Sequence, residues 1–207
     1  IATSARWDQT ATPDIGVKGE TVDPRELTRR INELLPSEKV VSVDSGNFLG
    51  YPSQYLDVPD EFGFCFTQAF QAVGLGLYTA VGAAIAQPNR LPVLGTGDGG
   101  ILMAAQELET AVRLQLPLLI IVYNDAAYGA EVHHFGSDSD LGAVVFPDTD
   151  IAAIARGYGA WGETIRALDD LEVIKTWLES NPRVPLLLDA KIANDGGSWW
   201  LAEAFQG

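Results

Sequence analysis

The residues best placed to do chemistry form a glycine loop with a carboxylate inside it. Gly95-Thr96-Gly97-Asp98-Gly99-Gly100 reads G-x-G-x-x-G, follows an apolar run from Leu91 to Leu94 and precedes a helical pattern. In that context the amides of the loop, backed by the positive end of a helix, cradle a diphosphate. A second acid, Asp125, ends the next apolar run, where a carboxylate that binds the ribose of a dinucleotide would also sit. Two chemistries therefore compete: a nicotinamide- or flavin-dinucleotide fingerprint, or a diphosphate held through a metal. Electrostatics favours the second. Asp98 would face the diphosphate as a like charge, and two such charges about 4 Å apart at an effective dielectric of about 20 repel by on the order of 4 kcal/mol. A divalent cation between them reverses the sign, and Mg²⁺ is the usual partner of carboxylate and phosphate oxygens. Asp125 then becomes the second carboxylate on that cation, because neighbouring parallel strands end side by side. Capping of a helix by Asp98 is the plainer alternative, and it leaves Asp125 without a role.

The elements around this loop repeat one pattern. Thr21 or Asp23 can cap a helix that Pro24 begins, that Leu27, Ile31, Leu34 and Leu35 give an apolar stripe, and that Pro36 ends. Strands are expected at Lys39 to Val43, Phe62 to Phe66, Leu91 to Leu94, Pro117 to Tyr123, Ala160 to Ile165 and Val184 to Ile192. Between them, helices are expected at Ala72 to Ala86, Ile101 to Leu114 (with Leu108 and Val112 inward), Ile151 to Tyr158 and Leu168 to Ser180. Apolar strands alternating with helices imply an α/β fold, a doubly wound parallel sheet with helices on both faces. Ligands bind such sheets beyond the carboxyl ends of the strands, which directs attention to Asp44–Phe48, Gly95–Gly100 and Asn124–Glu131. The expected organisation is a connector and lead-in helix over residues 1–37, one domain over 38–193 and a tail over 194–207.

Gly97-Asp98-Gly99, then Gln106-Glu107-Leu108 and Thr110 to Arg113, then Asn124-Asp125, resembles the thiamine-diphosphate motif: G-D-G, a spacer, then Asn, often doubled. The resemblance is to the C-terminal, diphosphate-binding domain of the acetolactate synthase, pyruvate decarboxylase and benzoylformate decarboxylase group. It extends to the glycine-rich stretch Ala72 to Ala84 and covers most of the chain, from about Lys39 to Ala193. It implies thiamine diphosphate and Mg²⁺ as cofactors, with Ca²⁺ a possible substitute, and metal ligands at Asp98, Asp125 and the carbonyl of Ala127. Asp125 departs from the family, which usually has a neutral Asn there, yet it still supplies an oxygen. The resemblance further implies that Gly97, Gly99, Gly100 and Tyr128 contact the cofactor. Gly100 replaces the usual hydroxyl residue after G-D-G. Val73 matches the apolar wedge that keeps the cofactor bent. The carbonyl of Gln71 and the amide of Val73 match the groups that grip its pyrimidine, and Ser45, Gly46, Asn47 and Phe48 match a loop touching diphosphate or substrate.

Glu131 aligns with a glutamate that contacts the reacting centre in pyruvate decarboxylase-like members. Such a carboxylate transfers protons if burial raises its pKa; a solvated glutamate on a helix is the alternative. His133 and His134 are adjacent, point different ways and read as surface or interface residues. Cys65 reads as core, Trp199-Trp200 as a packing contact of the tail, and Asp138, Asp140, Asp148 and Asp150 as solvated loop charges and helix caps. The implied function is that of a 2-oxo-acid decarboxylase or carboligase domain that pairs with a pyrimidine-binding domain of the same or another chain, as a homodimer or homotetramer. A non-catalytic metal-dependent aspartate module of the phospho-receiver type is a rival of a different class.

Composition bounds these readings. The 207 residues suit one domain at roughly 150 per domain with some chain to spare. Acidic residues exceed basic ones, 28 − 13 = 15, so a net charge of −15 disfavours nucleic acid and anionic membrane surfaces. A single cysteine leaves no disulfide framework and no paired-cysteine zinc site. A cytoplasmic protein is the expectation, and the non-methionine start, Ile1, suggests a piece or subunit of something longer.

Overall fold

Six parallel strands carry the architecture of this computed structural model, which describes residues 17, 19–66, 72–135 and 138–193. They are β1 (Lys39–Val43), β2 (Phe64–Phe66), β3 (Leu91–Gly97), β4 (Leu119–Asn124), β5 (Trp161–Ile165) and β6 (Leu186–Lys191), in the spatial order β2-β1-β3-β4-β6-β5. Every pairing is parallel. The central strand β4 is buried throughout, as expected of a run with no polar face.

Each face of the sheet has its own apolar layer. Leu119, Ile121 and Tyr123 of β4 pack with Leu27 and Ile31 of α1 (Pro24–Leu34), Tyr51 and Tyr55 of α2 (Gly50–Tyr55), and Ile174 and Trp177 of α8 (Glu172–Glu179). Ile120 and Val122 face the other way. They meet Leu77 and Val81 of α3 (Gly76–Ala86), Ile101 of α4 (Asp98–Ala104), Leu108 and Ala111 of α5 (Glu107–Arg113), and Ile151 and Ala155 of α7 (Ile151–Gly157). The period-2 alternation of β4 thus feeds two cores, and the doubly wound α/β expectation holds.

The chain leaves β1 toward β2 and returns across it to β3, so the sheet reverses direction between β1 and β3. That is a topological switch point, where the loops at the strand ends part and leave a crevice.

Several boundaries differ from those the pattern predicts. The helix expected over Ile101 to Leu114 is two, α4 and α5. Between them the Leu108 and Glu109 amides bond three residues back, to Ala105 and Gln106, so the α-helical ladder is interrupted. Leu168 to Ser180 likewise divides into a 3₁₀ turn, Leu168–Leu171, and α8. The glycine-rich helix begins at Gly76 rather than Ala72. Asp23, not Thr21, caps α1 by accepting the Arg25 amide at 2.8 Å. A short 3₁₀ turn, Asn47–Leu49, and α2 were not legible at all. Gly95 explains part of that packing, since a Cβ there would lie 2.7 Å from Pro52 of α2. Gln71, residues 1–16 and 18 of the connector, and the whole tail with Trp199 and Trp200 lie outside the described residues, among which no helix is long and apolar enough to cross a membrane.

Candidate functional site

At the switch point β3 passes from Gly97 straight into α4 at Asp98. The register pairs Gly97 with Tyr123, so Asp98 emerges beside Asn124 and one residue short of the level of Asp125. Side-by-side strand ends therefore bring the two expected acids to one loop cluster.

Asp98 is buried and ties its loop to the next one. Its Oδ1 accepts the Gly99 amide at 2.9 Å and its Oδ2 accepts the Ala127 amide at 3.0 Å. Burial pushes its carboxyl up to about 6; the amide bonds oppose the rise and the Asp189 carboxylate adds to it. No lysine or arginine among the described residues forms an ion pair with Asp98, whereas Asp189 has Lys191 at 3.1 Å. A buried carboxylate without a cationic partner fits a site that takes its positive charge from outside the chain. The donors are hard oxygens, the kind that Mg²⁺ and Ca²⁺ prefer. Among the described residues no three His, Cys, Asp or Glu side chains cluster as a metal cage. A cation here would need main-chain and ligand oxygens besides the two aspartates.

The loop after β4 is held in shape from below. The Asn124 side chain donates to Asp189 Oδ1 at 2.7 Å and accepts the Ala126 amide at 3.0 Å. Ala126 takes a left-handed conformation, φ 57°, which costs a non-glycine residue on the order of 1 kcal/mol and is repaid by these bonds. The segment Val144–Phe146 pairs with Ala126–Tyr128, through Phe146 N to Ala126 O at 2.7 Å and Tyr128 N to Val144 O at 2.8 Å.

One cleft of about 130 Å³ collects the expected residues. Ser45, Gly46, Asn47, Val73, Gly97, Asp98, Gly99, Gly100, Asp125, Ala127, Tyr128 and Glu131 all line it. Gln71 lies outside the described residues. Tyr128 packs so close over the glycine loop that a Cβ on Gly99 would lie 2.4 Å from its ring. Glu131 is exposed on α6 (Gly129–Phe135). His133 and His134 are not among the lining residues. Phe48, Tyr123 and Ile192 also line the cleft. Ile192 ends the strand expected over Val184 to Ile192, one residue past β6, whereas Tyr123 reads as an ordinary core residue.

Gly100 has a local cause. A Cβ there would lie 2.6 Å from Asp44 Oδ2 and 2.9 Å from Thr96 Oγ1. Thr96 fills the space next to this position and donates its hydroxyl to Asp44 at 3.1 Å.

The sequence from Asp44 to Ala190 matches the family model described as "Thiamine pyrophosphate enzyme, C-terminal TPP binding domain". The chain belongs to this family. The match decides between the two diphosphate chemistries in favour of thiamine diphosphate and against a dinucleotide. Among relatives, an acetolactate synthase of Bacillus subtilis (strain 168) is 29% identical over 177 residues, covering 84% of this chain and 31% of that protein. A sulfoacetaldehyde acetyltransferase of Alcaligenes xylosoxydans xylosoxydans is 32% identical over 157 residues, covering 74% of this chain and 26% of that protein. The chain thus spans about a third or less of the curated relatives it matches. The fold is shared with a thiamine diphosphate-dependent 4-hydroxybenzoylformate decarboxylase of Rhodococcus jostii RHA1, at a TM-score of 0.76 and 22% identity over 89% of this chain and 35% of that one.

Proposed function

We propose that this thiamine-diphosphate-binding domain holds its cofactor through a divalent cation, and that it serves a decarboxylase or carboligase acting on 2-oxo acids. The observation that carries the metal is the buried Asp98 carboxylate, without a cationic partner among the described residues and beside Asp125 at the end of the next strand. Asp98, Asp125 and the Ala127 carbonyl would hold Mg²⁺, leaving its other positions to diphosphate oxygens and water. Val73 would support the bent cofactor, with Ser45, Gly46, Asn47, Gly97, Gly99, Gly100 and Tyr128 around it and Gln71 at its pyrimidine edge. When bound, the cofactor supplies a stabilised carbanion at its thiazolium carbon, and the protein supplies binding, orientation and electrostatics. Glu131, exposed at the rim, would meet substrate rather than activate the cofactor.

Activation needs a carboxylate at the far pyrimidine nitrogen, and no motif in this chain matches the family's. The reading therefore assigns that group to a pyrimidine-binding domain, in the same or a partner chain. The surface suits such a neighbour: Leu75, Tyr78 and Ile85 on or beside α3, and Leu102 and Met103 on α4, are exposed. A homodimer or homotetramer would cover them.

Calorimetry tests the metal. Thiamine diphosphate should bind with Mg²⁺ and much more weakly with EDTA; equal binding in both would sink the metal bridge. The division of labour is tested by exchange of the cofactor's C2 proton in D₂O. The 207-residue chain alone should leave the rate as in free solution, and clear acceleration would mean that an activating carboxylate lies within it.

A further inference from the structure

Asp44 is the first residue beyond β1, buried, and not among the residues lining the cleft. Its carboxylate gathers donors from three separate segments. The Ser45 amide donates to Oδ1 at 2.8 Å, the Gly74 amide lies 3.1 Å from Oδ1 and 3.2 Å from Oδ2, and the Thr96 hydroxyl donates to Oδ2 at 3.1 Å. The chain makes room for it with glycines. A Cβ on Gly76 would lie 2.6 Å from Asp44 Cβ, and one on Gly100 would lie 2.6 Å from Oδ2. This carboxylate therefore joins the loop after β1, the turn before α3 and the end of β3, three segments that each contribute to the cleft wall.

The turn is where its influence is greatest. Gly74 has φ +90°, a conformation that L side chains rarely adopt, and its amide points at Asp44. In a trans peptide the N–H and the preceding carbonyl point opposite ways. Fixing the Gly74 N–H thus orients the Val73–Gly74 peptide plane and the Val73 carbonyl, directly beside the Val73 that lines the cleft. Every group named above gives a hydrogen and none accepts one. An asparagine would have to turn its NH₂ toward one of these donors, whereas a carboxylate accepts on both oxygens.

We propose that Asp44 is a positioning residue, which sets the Val73–Gly74 peptide and through it the support for the pyrimidine half of thiamine diphosphate. The inference rests on the reading of Val73 as that support. It separates two tasks in one cleft: Asp98 and its loop serve the diphosphate end, and Asp44 serves the ring end without touching the ligand.

A double-mutant cycle in the complete protein tests it, with Mg²⁺ present and two probes, thiamine diphosphate and inorganic pyrophosphate. Asp44→Asn should weaken thiamine diphosphate by about tenfold, the scale of one buried hydrogen bond misdirected, and leave pyrophosphate nearly unchanged. Val73→Ala should show the same split alone and add little in the Asp44→Asn background. Gly74→Ala disturbs the same peptide from its other side without altering Asp44. Its Cβ would lie 3.0 Å from Met103 Cβ and, in ordinary contact, 3.7 Å from the Gly100 carbonyl oxygen. It should reproduce the split even if Asp44→Asn does not fold. Equal loss of both probes in the folded Asp44→Asn variant, or in Gly74→Ala, would reduce Asp44 to a general structural role and overturn the proposal. Additive losses in the cycle would overturn it as well. If Val73→Ala costs nothing by itself, the reading of Val73 fails first and the proposal falls with it.

Discussion

Asn124 donates its side-chain amide to Asp189 Oδ1 at 2.7 Å, and this bond joins the end of β4 to β6 directly beneath the loop that carries Asp125. Asp189 is fully buried; its other oxygen accepts the Ile151 amide at 3.2 Å and faces Lys191 at 3.1 Å. Removing Asp189 strands a nearly buried ammonium, the Ile151 amide and the Asn124 amide together. Asp189→Ala should therefore destabilise the fold by about 3 kcal/mol, at the low end for a broken buried pair because Lys191 keeps Asp148 at 2.6 Å. Asn124→Ala should cost about 1–3 kcal/mol. Urea unfolding of the two variants measures both, and a change below about 0.5 kcal/mol, the scale of a surface substitution, would show that the network contributes little.

The two aspartates of the loop cluster should respond differently to substitution. Asp98→Ala removes a carboxylate that both links the loops and would face the cation, so Mg²⁺-dependent binding of thiamine diphosphate should be lost. Asp125→Asn keeps a side-chain oxygen and should retain most of the binding. Titration calorimetry at fixed Mg²⁺ distinguishes them. Complete loss in Asp125→Asn would mean that its charge, rather than its oxygen, is what the site uses.

The contrast between Asp98 and Asp44 shows what was legible in the sequence. Asp98 announces itself because its chemistry is local: a glycine loop, a strand before it and a helix after it occupy consecutive residues. The strands were readable for a similar reason, since an unbroken apolar run such as Leu119 to Val122 suits a strand covered on both faces, as in a parallel sheet between helices. Asp44 takes its meaning from Gly74 and Thr96, 30 and 52 residues away, and Asp189 from Asn124, 65 residues away. Those contacts depend on strand order and register, which periodicity does not encode. The division of the 101–114 helix was hidden too, because Ala104, Leu108 and Ala111 keep helical spacing across the break.

The start of α1 gives a pH dependence with a definite sign. Burial by itself would raise the Asp23 pKa, but hydrogen bonds from the Arg25 side chain and amide, and the Arg25 charge, outweigh it and hold the carboxyl below its ordinary 3.8. A depressed carboxylate stabilises the fold above the unfolded value, and that contribution disappears as pH falls through the folded one. Asp23→Ala should cost about 1 kcal/mol near neutral pH, as for a lost N-cap. The difference between variant and parent should stay constant down to about pH 5 and close progressively below about pH 4. Urea melts of both proteins across that range check it, and a gap that widens in acid would reverse the assigned sign.

Gly82 offers a test of the proposed neighbour on α3. It is exposed on a helix, and a Cβ there would meet nothing within 4 Å. Within this domain alanine should only help, by about 0.5–1 kcal/mol, because glycine weakens a helix interior. A partner packed closely on this face would reverse the effect at the level of assembly, since the added methyl would occupy space that backbone contact needs. Gly82→Ala should therefore raise the unfolding midpoint of the isolated domain and lower the affinity between subunits of the complete protein. Urea melts of the domain and sedimentation velocity of the complete protein over a dilution series read the two effects separately. A more stable domain with unchanged assembly would place the interface elsewhere. A destabilised domain would mean that the helix itself does not tolerate the methyl, and the packing argument for α3 would fail at its first step.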